Sequence, residues 1–306
     1  MAAKAWSTQQ KPVDEIFLQN EAVSLCLLVN RRARTMRVVD FRAGPTVAKR
    51  VHVLKAAERE GVEKVYTLVE RDEVATWVKL GLAKEGNIPG FYKRSDAFLL
   101  GCSVREAQSE TRIAVGSELE EDAPVVESAA HRFAEKTLAH AKRHAKEVSE
   151  KALPPAKLAS VREADVKRQV AAALKAGRAL TAFEPFGRDV ERSYFTMTAR
   201  GGFELVASTE SQSCFGNAFL ELLTGPANEA ERLATIASLR VMCDKLLADG
   251  VVSCFSLSPS DDLGLATAYV WNGFRRTGLL QGHLVVGDER KDAIIWSRKL
   301  ANPADE

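Results

Sequence analysis

Two stretches of this chain carry the same glycine punctuation, roughly 190 residues apart, and that spacing constrains the fold more than any other feature. Gly44-Pro45 precedes a helical pattern that Gly61 stops, and Gly225-Pro226 precedes another that Gly250 stops. Gly81, Gly86 and Gly90 then follow at the intervals that Gly273, Gly278 and Gly282 repeat. Asp96-Ala97 and Asp292-Ala293 open a closing apolar strand in each stretch, after a four-residue insertion in the second. A period this long is not that of a solenoid; it reads as a duplicated domain. The 306 residues accommodate two domains. The expected division is unequal: a trimmed unit over 13–105, a fuller one over 106–300, and tails at 1–12 and 301–306.

Within each unit the hydrophobic periods set the elements. Residues 15–41 read as strands, with SLCLLVN and TMRVVDF flanking the polar turn Arg31-Arg32-Ala33-Arg34. Val47, Val51, Leu54 and Ala57 share a helix face over 46–60. VEKVYTLV reads as a strand, EVATWVKLGL as a short helix, and two further strands end at DAFLLGCSV. The second unit repeats this order: SYFTMTA, FELVAS and CFGNAFLELLTG as strands, a helix from about 228 to 249, then VVSCFSLS, the helix DLGLATAYVWN and two closing strands. Between the units, TRIAVG reads as a strand and Glu118–Asp122 is acidic. Over 129–182, Ala134, Leu138, Ala141, Ala145, Val148 and Ala152 form one heptad stripe and Val166, Val170, Ala173, Gly177 and Leu180 another, separated by Pro154-Pro155. Two amphipathic helices joined by a proline turn predict an αα-hairpin. The stripe also fits a coiled-coil homodimer seam.

Composition narrows the function classes. A net charge of +2 lacks the basic excess of a protein devoted to nucleic acid. The longest apolar run, about Ala22–Val29, is far short of the ~20 residues of a membrane span, and MAAKAWSTQQKP has no apolar signal region. Cys26, Cys102, Cys214, Cys243 and Cys254 are scattered, never in a C-x-x-C pair, which suits a cytoplasmic, reducing location and speaks against a structural zinc site. His140 and His144 have metal-binding spacing on one helix face, but no third ligand accompanies them, so no metal is expected. Arg31, Arg32, Arg34 and Arg37 predict a basic surface hairpin.

A strand meander, a long helix, a strand, a short helix ending in Gly-Phe and a terminal strand pair together resemble the GNAT superfamily of acetyl-CoA-dependent N-acyltransferases. The segments GLAKEGNIPGFYKRSDAFLL and GFRRTGLLQGHLVVGDERKDAIIW look most like bacterial beta-lysine acetyltransferases. The resemblance covers most of 110–300 and, weakly, 13–104. It implies an α/β (α+β) fold of two GNAT-like mixed-sheet domains, the first truncated, with the helical hairpin belonging to the second.

The resemblance also implies a site. The family holds the CoA pyrophosphate on backbone amides at the start of the long helix, in a turn of the form Arg/Gln-x-x-Gly-x-Gly/Ala. Counting back from Gly61 puts Phe41–Thr46 at that place, so Arg42, Gly44 and Thr46 become the matched positions, with Lys49 and Arg50 near enough for phosphates. Counting back from Gly250 reaches Ala230–Thr235, with Glu231, Leu233 and Thr235 matched and no glycine present. Tyr269 matches the tyrosine that protonates the leaving thiolate, while the first unit has Trp77 there. Glu221, with Asp40 as its counterpart in the first unit, is the candidate base for the amine. Two functions are compatible with this site: an N-acetyltransferase for a small amine or amino acid, or a catalytically degenerate tandem protein that binds a ligand or protein partner. A scaffold built on 129–182 is a third.

Overall fold

Alternating apolar residues bounded by glycine turns build one mixed sheet. The computed structural model describes residues 13–21, 23–42, 44, 46–92, 95–107, 128–187, 190–212 and 215–301. The expected strand TRIAVG, the acidic run 118–122, Pro45, Cys214 and most of both tails lie outside the described residues. The first half contributes β1 (Val13–Gln19), β2 (Ser24–Asn30), β3 (Thr35–Asp40), β4 (Lys64–Val69), β5 (Ala83–Ile88) and β6 (Ala97–Ser103). The second contributes β7 (Ala156–Val161), β8 (Glu191–Ala199), β9 (Phe203–Gln212), β10 (Asn217–Leu222), β11 (Ser253–Pro259), β12 (Arg275–Val286) and β13 (Glu289–Lys299). Helices α1 (Val47–Arg59) and α2 (Val74–Lys79) belong to the first half. Helices α3 (Ala129–Glu147), α4 (Glu163–Lys175), α5 (Glu229–Ala248) and α6 (Leu263–Trp271) belong to the second.

The strand order is β1-β2-β3-β4-β6-β5-β12-β13-β11-β10-β9-β8-β7. From either edge inward, an antiparallel meander is followed by one parallel pair, β3–β4 or β10–β11, and then two antiparallel pairs. The parallel steps are bridged by the long helices α1 and α5, as a parallel connection requires. The second half carries the extra edge strand β7, paired antiparallel to β8. The fold is therefore a mixed α/β arrangement with the same strand order in both halves.

The halves meet strand to strand. Gly86 of β5 lies opposite Gly278 of β12, the pair of glycines that occupy matching places in the repeat. A Cβ on Gly86 would stand 2.7 Å from the Gly278 Cα, and one on Gly278 would stand 2.5 Å from the Gly86 Cα. No side chain fits there, so the two backbones cross in contact.

Side-chain alternation sorts the core. One face carries α1, α2, α5 and α6: Val53, Ala57 and Trp77 pack over the first half, and Ile236, Leu239, Leu265 and Tyr269 over the second. The other face carries a core shared by both halves, with Tyr66, Phe91 and Leu99 from the first against Phe219, Phe255 and Ile295 from the second. Its rings are close, Phe219 and Phe255 stacking at 4.9 Å and Phe91 meeting Phe255 at 5.9 Å.

The helical hairpin expected over 129–182 does not form. Edge strand β7 separates α3 from α4, and the two helices take opposite faces of the sheet. Ala134, Leu138 and Ala141 of α3 join the core under α5 and α6, whereas Val166 of α4 packs with Val206 and Phe183 on the far side. The helix α3 ends at Glu147, short of Pro154-Pro155, and the chain beyond the prolines is extended, with Ala156, Leu158 and Val161 half-buried. The α3 stripe is thus spent inside the chain, and Trp271 Nε1 ties its end by donating to Val148 O at 3.2 Å. Among the described residues no helix is long and apolar enough to cross a membrane.

The glycine crossing makes a sharp expectation. Gly278→Ala should destabilise the protein by about 1–3 kcal/mol, the usual cost of overpacking, because the added methyl meets backbone rather than a movable side chain. Urea unfolding at one pH checks this; an unchanged midpoint would show that the strands do not cross in contact.

Candidate functional site

The two helix N-termini singled out by sequence are both filled by the chain itself. At α5, Asn228 is the N-cap, and its Oδ1 accepts from Glu231 N at 2.9 Å. Glu231 turns back, Oε2 accepting from Ala227 N at 2.8 Å and Oε1 from Asn228 Nδ2 at 3.2 Å. This is the reciprocal logic of a capping box, and the sequence Asn228-x-x-Glu231 signals it. Leu233 and Thr235 lie inside α5, where their amides point back along the helix, and Thr235 Oγ1 donates to Glu231 O at 2.8 Å.

At α1, Thr46 is the N-cap and accepts from Lys49 N at 3.2 Å. The Lys49 ammonium is 1% exposed and plugs the space below the turn. It pairs with Asp40 and donates to Arg42 O and Gly44 O, both at 2.8 Å. Carbonyls rather than amides therefore face inward at this turn. Arg42 donates to Glu21 O, and Arg50 to Leu80 O and, at 3.1 Å, to Ala107 O, so both guanidinium groups brace neighbouring loops. At each terminus the cap side chain takes one first-turn amide, that of Lys49 or Glu231.

Tyr269 is 1% exposed on the helix-bearing face. Its ring stacks on Trp296 at 5.4 Å, and its hydroxyl is 2.5 Å from Ser256 Oγ. Ser256 Oγ donates to Leu220 O at 2.6 Å, so the tyrosine is left as donor to the serine. Burial pushes the phenol well above its ordinary range. In the first half Thr67 Oγ1 makes the matching bond to Val38 O at 2.9 Å, and Trp77 occupies the tyrosine's place. This register aligns Val39, not Asp40, with Glu221. Asp40 faces α1 and Lys49; Glu221 faces the opposite side of the sheet.

Glu221 there borders a cavity of about 80 Å³ on the shared-core face, between the halves. Its walls include Asn30 and Arg32 from the first hairpin, Tyr66 from β4, Thr181 and Glu184 from the segment before β8, and His283 from β12. The volume is small beside the ~300 Å³ or more of a site for a whole drug-sized ligand, so it suits a head group.

The carboxylates differ in how they are held. Glu221 accepts from Thr181 Oγ1 at 2.7 Å, Arg192 Nη1 at 3.0 Å and Ser208 Oγ at 3.1 Å. Arg192 also pairs with Glu210, which in turn accepts from the amides of Phe186 and Gly187. Glu184 is 9% exposed; its carboxylate accepts from the Asn30 side-chain amide, and its backbone carbonyl from Arg192 Nη2 at 2.7 Å. Burial raises its carboxyl to about 7, against the opposing pull of Arg32. Burial also raises Glu221 and holds His283 down at about 3, neutral, with Nδ1 buried and unpartnered among the described residues. The chain is strained beside Glu184: the buried, non-glycine Phe183 sits at φ +57°, fixed by its amide bonding Thr181 Oγ1 at 2.9 Å.

Of the residues singled out by sequence, Glu221 and Arg32 reach this cavity with charged side chains, and Ala33 and Leu180 line it as apolar wall. The expectation of a surface hairpin fails for two of its four arginines. Arg31 pairs with Asp14 and Glu60, and Arg34 with Glu63, at the surface. Arg32 instead donates to Ala179 O and Val285 O across the seam, and Arg37 donates to Phe186 O and lies 5.3 Å over that ring. His140 and His144 lie on the open face of α3, and no group of three metal-ligating side chains gathers among the described residues. Glu184, Asn30 and His283 escaped sequence reasoning because they come from three separate segments; nothing local marks them.

No protein-family model matches the chain, and no curated protein matches it. Solved structures similar to it include the ribosomal-protein-S18-alanine N-acetyltransferase of Escherichia coli, at 20% identity and a TM-score of 0.36 over 48% of this chain and 95% of that one. The spermidine N-acetyltransferase of Vibrio cholerae, in complex with CoA and spermine, is 9% identical with a TM-score of 0.38 over 47% of this chain and 95% of that one.

The buried charges lead to two expected outcomes. Lys49→Met strands Asp40 and should cost about 3–5 kcal/mol in urea unfolding, most of it recovered by adding Asp40→Leu; a double variant as unstable as the single one would deny the pairing. Glu184 holds a proton between about 4.5 and 7 that the unfolded chain has lost. The stability this gives is full below about 4.5 and lost as pH rises through about 7. The unfolding free energy of Glu184→Gln relative to the parent should therefore shift by about 3 kcal/mol in the variant's favour from pH 4.5 to 8, and a constant difference would contradict the assignment.

Proposed function

We propose that this chain is a tandem GNAT-like protein that acts by binding a small ligand or a protein partner, not by transferring an acetyl group from acetyl-CoA. The Glu231 carboxylate carries this reading. It occupies the N-terminus of α5, already bonded to the chain, and would face a diphosphate with like charge. The Lys49 plug at α1 supports the same conclusion for the first half. The repeated strand order supports reading 13–105 and 106–300 as tandem copies, the first trimmed.

One observation favours a second reading, N-acetyltransfer to a small amine. Glu221 reaches a cavity between the halves with its carboxyl raised by burial, a setting in which a carboxylate can serve as a base. In that reading Tyr269 would protonate the thiolate, but its proton is engaged with Ser256 and the residue does not border the cavity.

Thermal unfolding separates the two. Acetyl-CoA at about 1 mM should leave the Tm unchanged, because a ligand with no site in the native state cannot stabilise it. A concentration-dependent rise in Tm, with turnover of an amine that Tyr269→Phe abolishes, would replace the binding reading with the enzymatic one.

A further inference from the structure

Among the described residues, helix α3 has no counterpart in the first half, whose elements begin at the β1–β3 meander. Its inner face is accounted for, with Ala134, Leu138 and Ala141 buried in the core beside α5 and α6. Its outer face carries charge of one sign. Arg132, Lys136, Lys142, Arg143 and Lys146 are all exposed there. At about 100° per residue these five cations fall within an arc of about 120°, spread along about 21 Å of helix. The acids of the helix do not oppose them: Glu135 pairs with Arg276 of β12, and Glu147 lies 3.6 Å from His144 Nδ1. None of the five has a carboxylate partner among the described residues.

A second row runs beside the cations. Phe133, His140 and His144 follow one another at i, i+7 and i+11, which puts three rings within an arc of about 40° next to Lys136. Phe133 is 49% exposed, His140 is exposed and His144 partly so.

A line of cations matches a linear polyanion, and rings beside the line match one that also carries flat π faces. Single-stranded nucleic acid has both, phosphates for the cations and unpaired bases that stack on rings whatever their sequence. An acidic polypeptide would use the cations and leave the rings idle, and a duplex keeps its base faces stacked on one another. A membrane surface would take up an apolar helix face, and that of α3 is buried in the core. The net charge of +2 is a sum over the whole chain and conceals this local excess.

We propose that the outer face of α3 binds single-stranded nucleic acid, with phosphates along Arg132, Lys136, Arg143 and Lys146 and bases over Phe133 and His140. The face shares no residue with the helix termini of α1 and α5 or with the seam cavity, so its occupancy is independent of whether acetyl-CoA binds.

Fluorescence anisotropy of labelled dodecauridylate and dodecathymidylate, each titrated with the full chain, tests the proposal. Binding of the first alone would assign the face to RNA, and of the second alone to DNA. The affinity should fall with salt, with a slope of log K against log [NaCl] of about −3, as about four phosphates release their counterions. Lys136→Gln combined with Arg143→Gln should weaken binding at least tenfold at about 50 mM NaCl and make that slope shallower by about 1.4. Phe133→Ala should weaken binding about fivefold or more with the slope unchanged, because stacking releases no counterion, and Phe133→Tyr should restore it. All three positions are exposed, so these variants keep the fold. No binding of either oligomer at about 100 μM chain, an unchanged affinity in the double variant, or equal affinity of the parent and Phe133→Ala would overturn the proposal. So would tighter binding of a duplex of that length, or of polyglutamate, than of the single strands.

Discussion

The contact between Gly86 and Gly278 is the constraint on which the remainder of the structure depends. At this crossing the backbones of the two half-sheets approach too closely for a Cβ on either strand, and these glycines remove the atoms that would stand in the way. Once β5 and β12 join, the apolar residues on the face opposite α1 and α5 come within reach of one another. Phe91 then reaches Phe255, and Tyr66 reaches His283. The shared core is therefore a consequence of the crossing, and the cavity is the part of that core where polar residues of the two halves face each other.

Much of this architecture was legible in the sequence, because glycine and hydrophobic period act locally. Gly61, Gly250 and Gly273 stop helices at positive φ, where other residues are strained, and the order of strands and helices comes from the apolar pattern between them. The matching of Gly86 with Gly278 was visible as well, but not that the matched residues would be partners: periodicity gives equivalence, not contact. The edge strand β7 was hidden by its composition. AKLASV is short, comes directly after two prolines and buries little, so its apolar residues merged with the helical stripes on either side. Placing α3 and α4 on opposite faces required that strand.

The site was less legible than the fold, for a physical reason. Glu184 takes its meaning from Asn30, 154 residues away, and from rings on β4 and β12. No local spacing encodes such a cluster. Glu221 was found because a resemblance pointed at its strand, yet the same count paired it with Asp40, one position out of register. In a strand an error of one residue exchanges the faces, and it placed a buried partner of Lys49 beside a residue from the other side of the sheet.

The two long helices begin at equivalent places and solve the same problem with opposite charges. At α1 a buried lysine gathers an aspartate and two loop carbonyls; at α5 a glutamate gathers a loop amide and the cap side chain. Each solution satisfies polar groups that a helix N-terminus and its approach loop would otherwise leave to water or to an anion. One terminus thus carries its own negative counter-charge, and the other holds a buried cation beneath its approach loop. The largest remaining polar demand is at Glu184, where burial is nearly complete and one side-chain amide and the fields of Arg32 and Arg192 only partly offset it. In a low-dielectric pocket that imbalance is worth more than any exposed charge on the surface. The chemistry that distinguishes this chain is thus concentrated at the seam between its halves, away from the helix ends to which the sequence first drew attention.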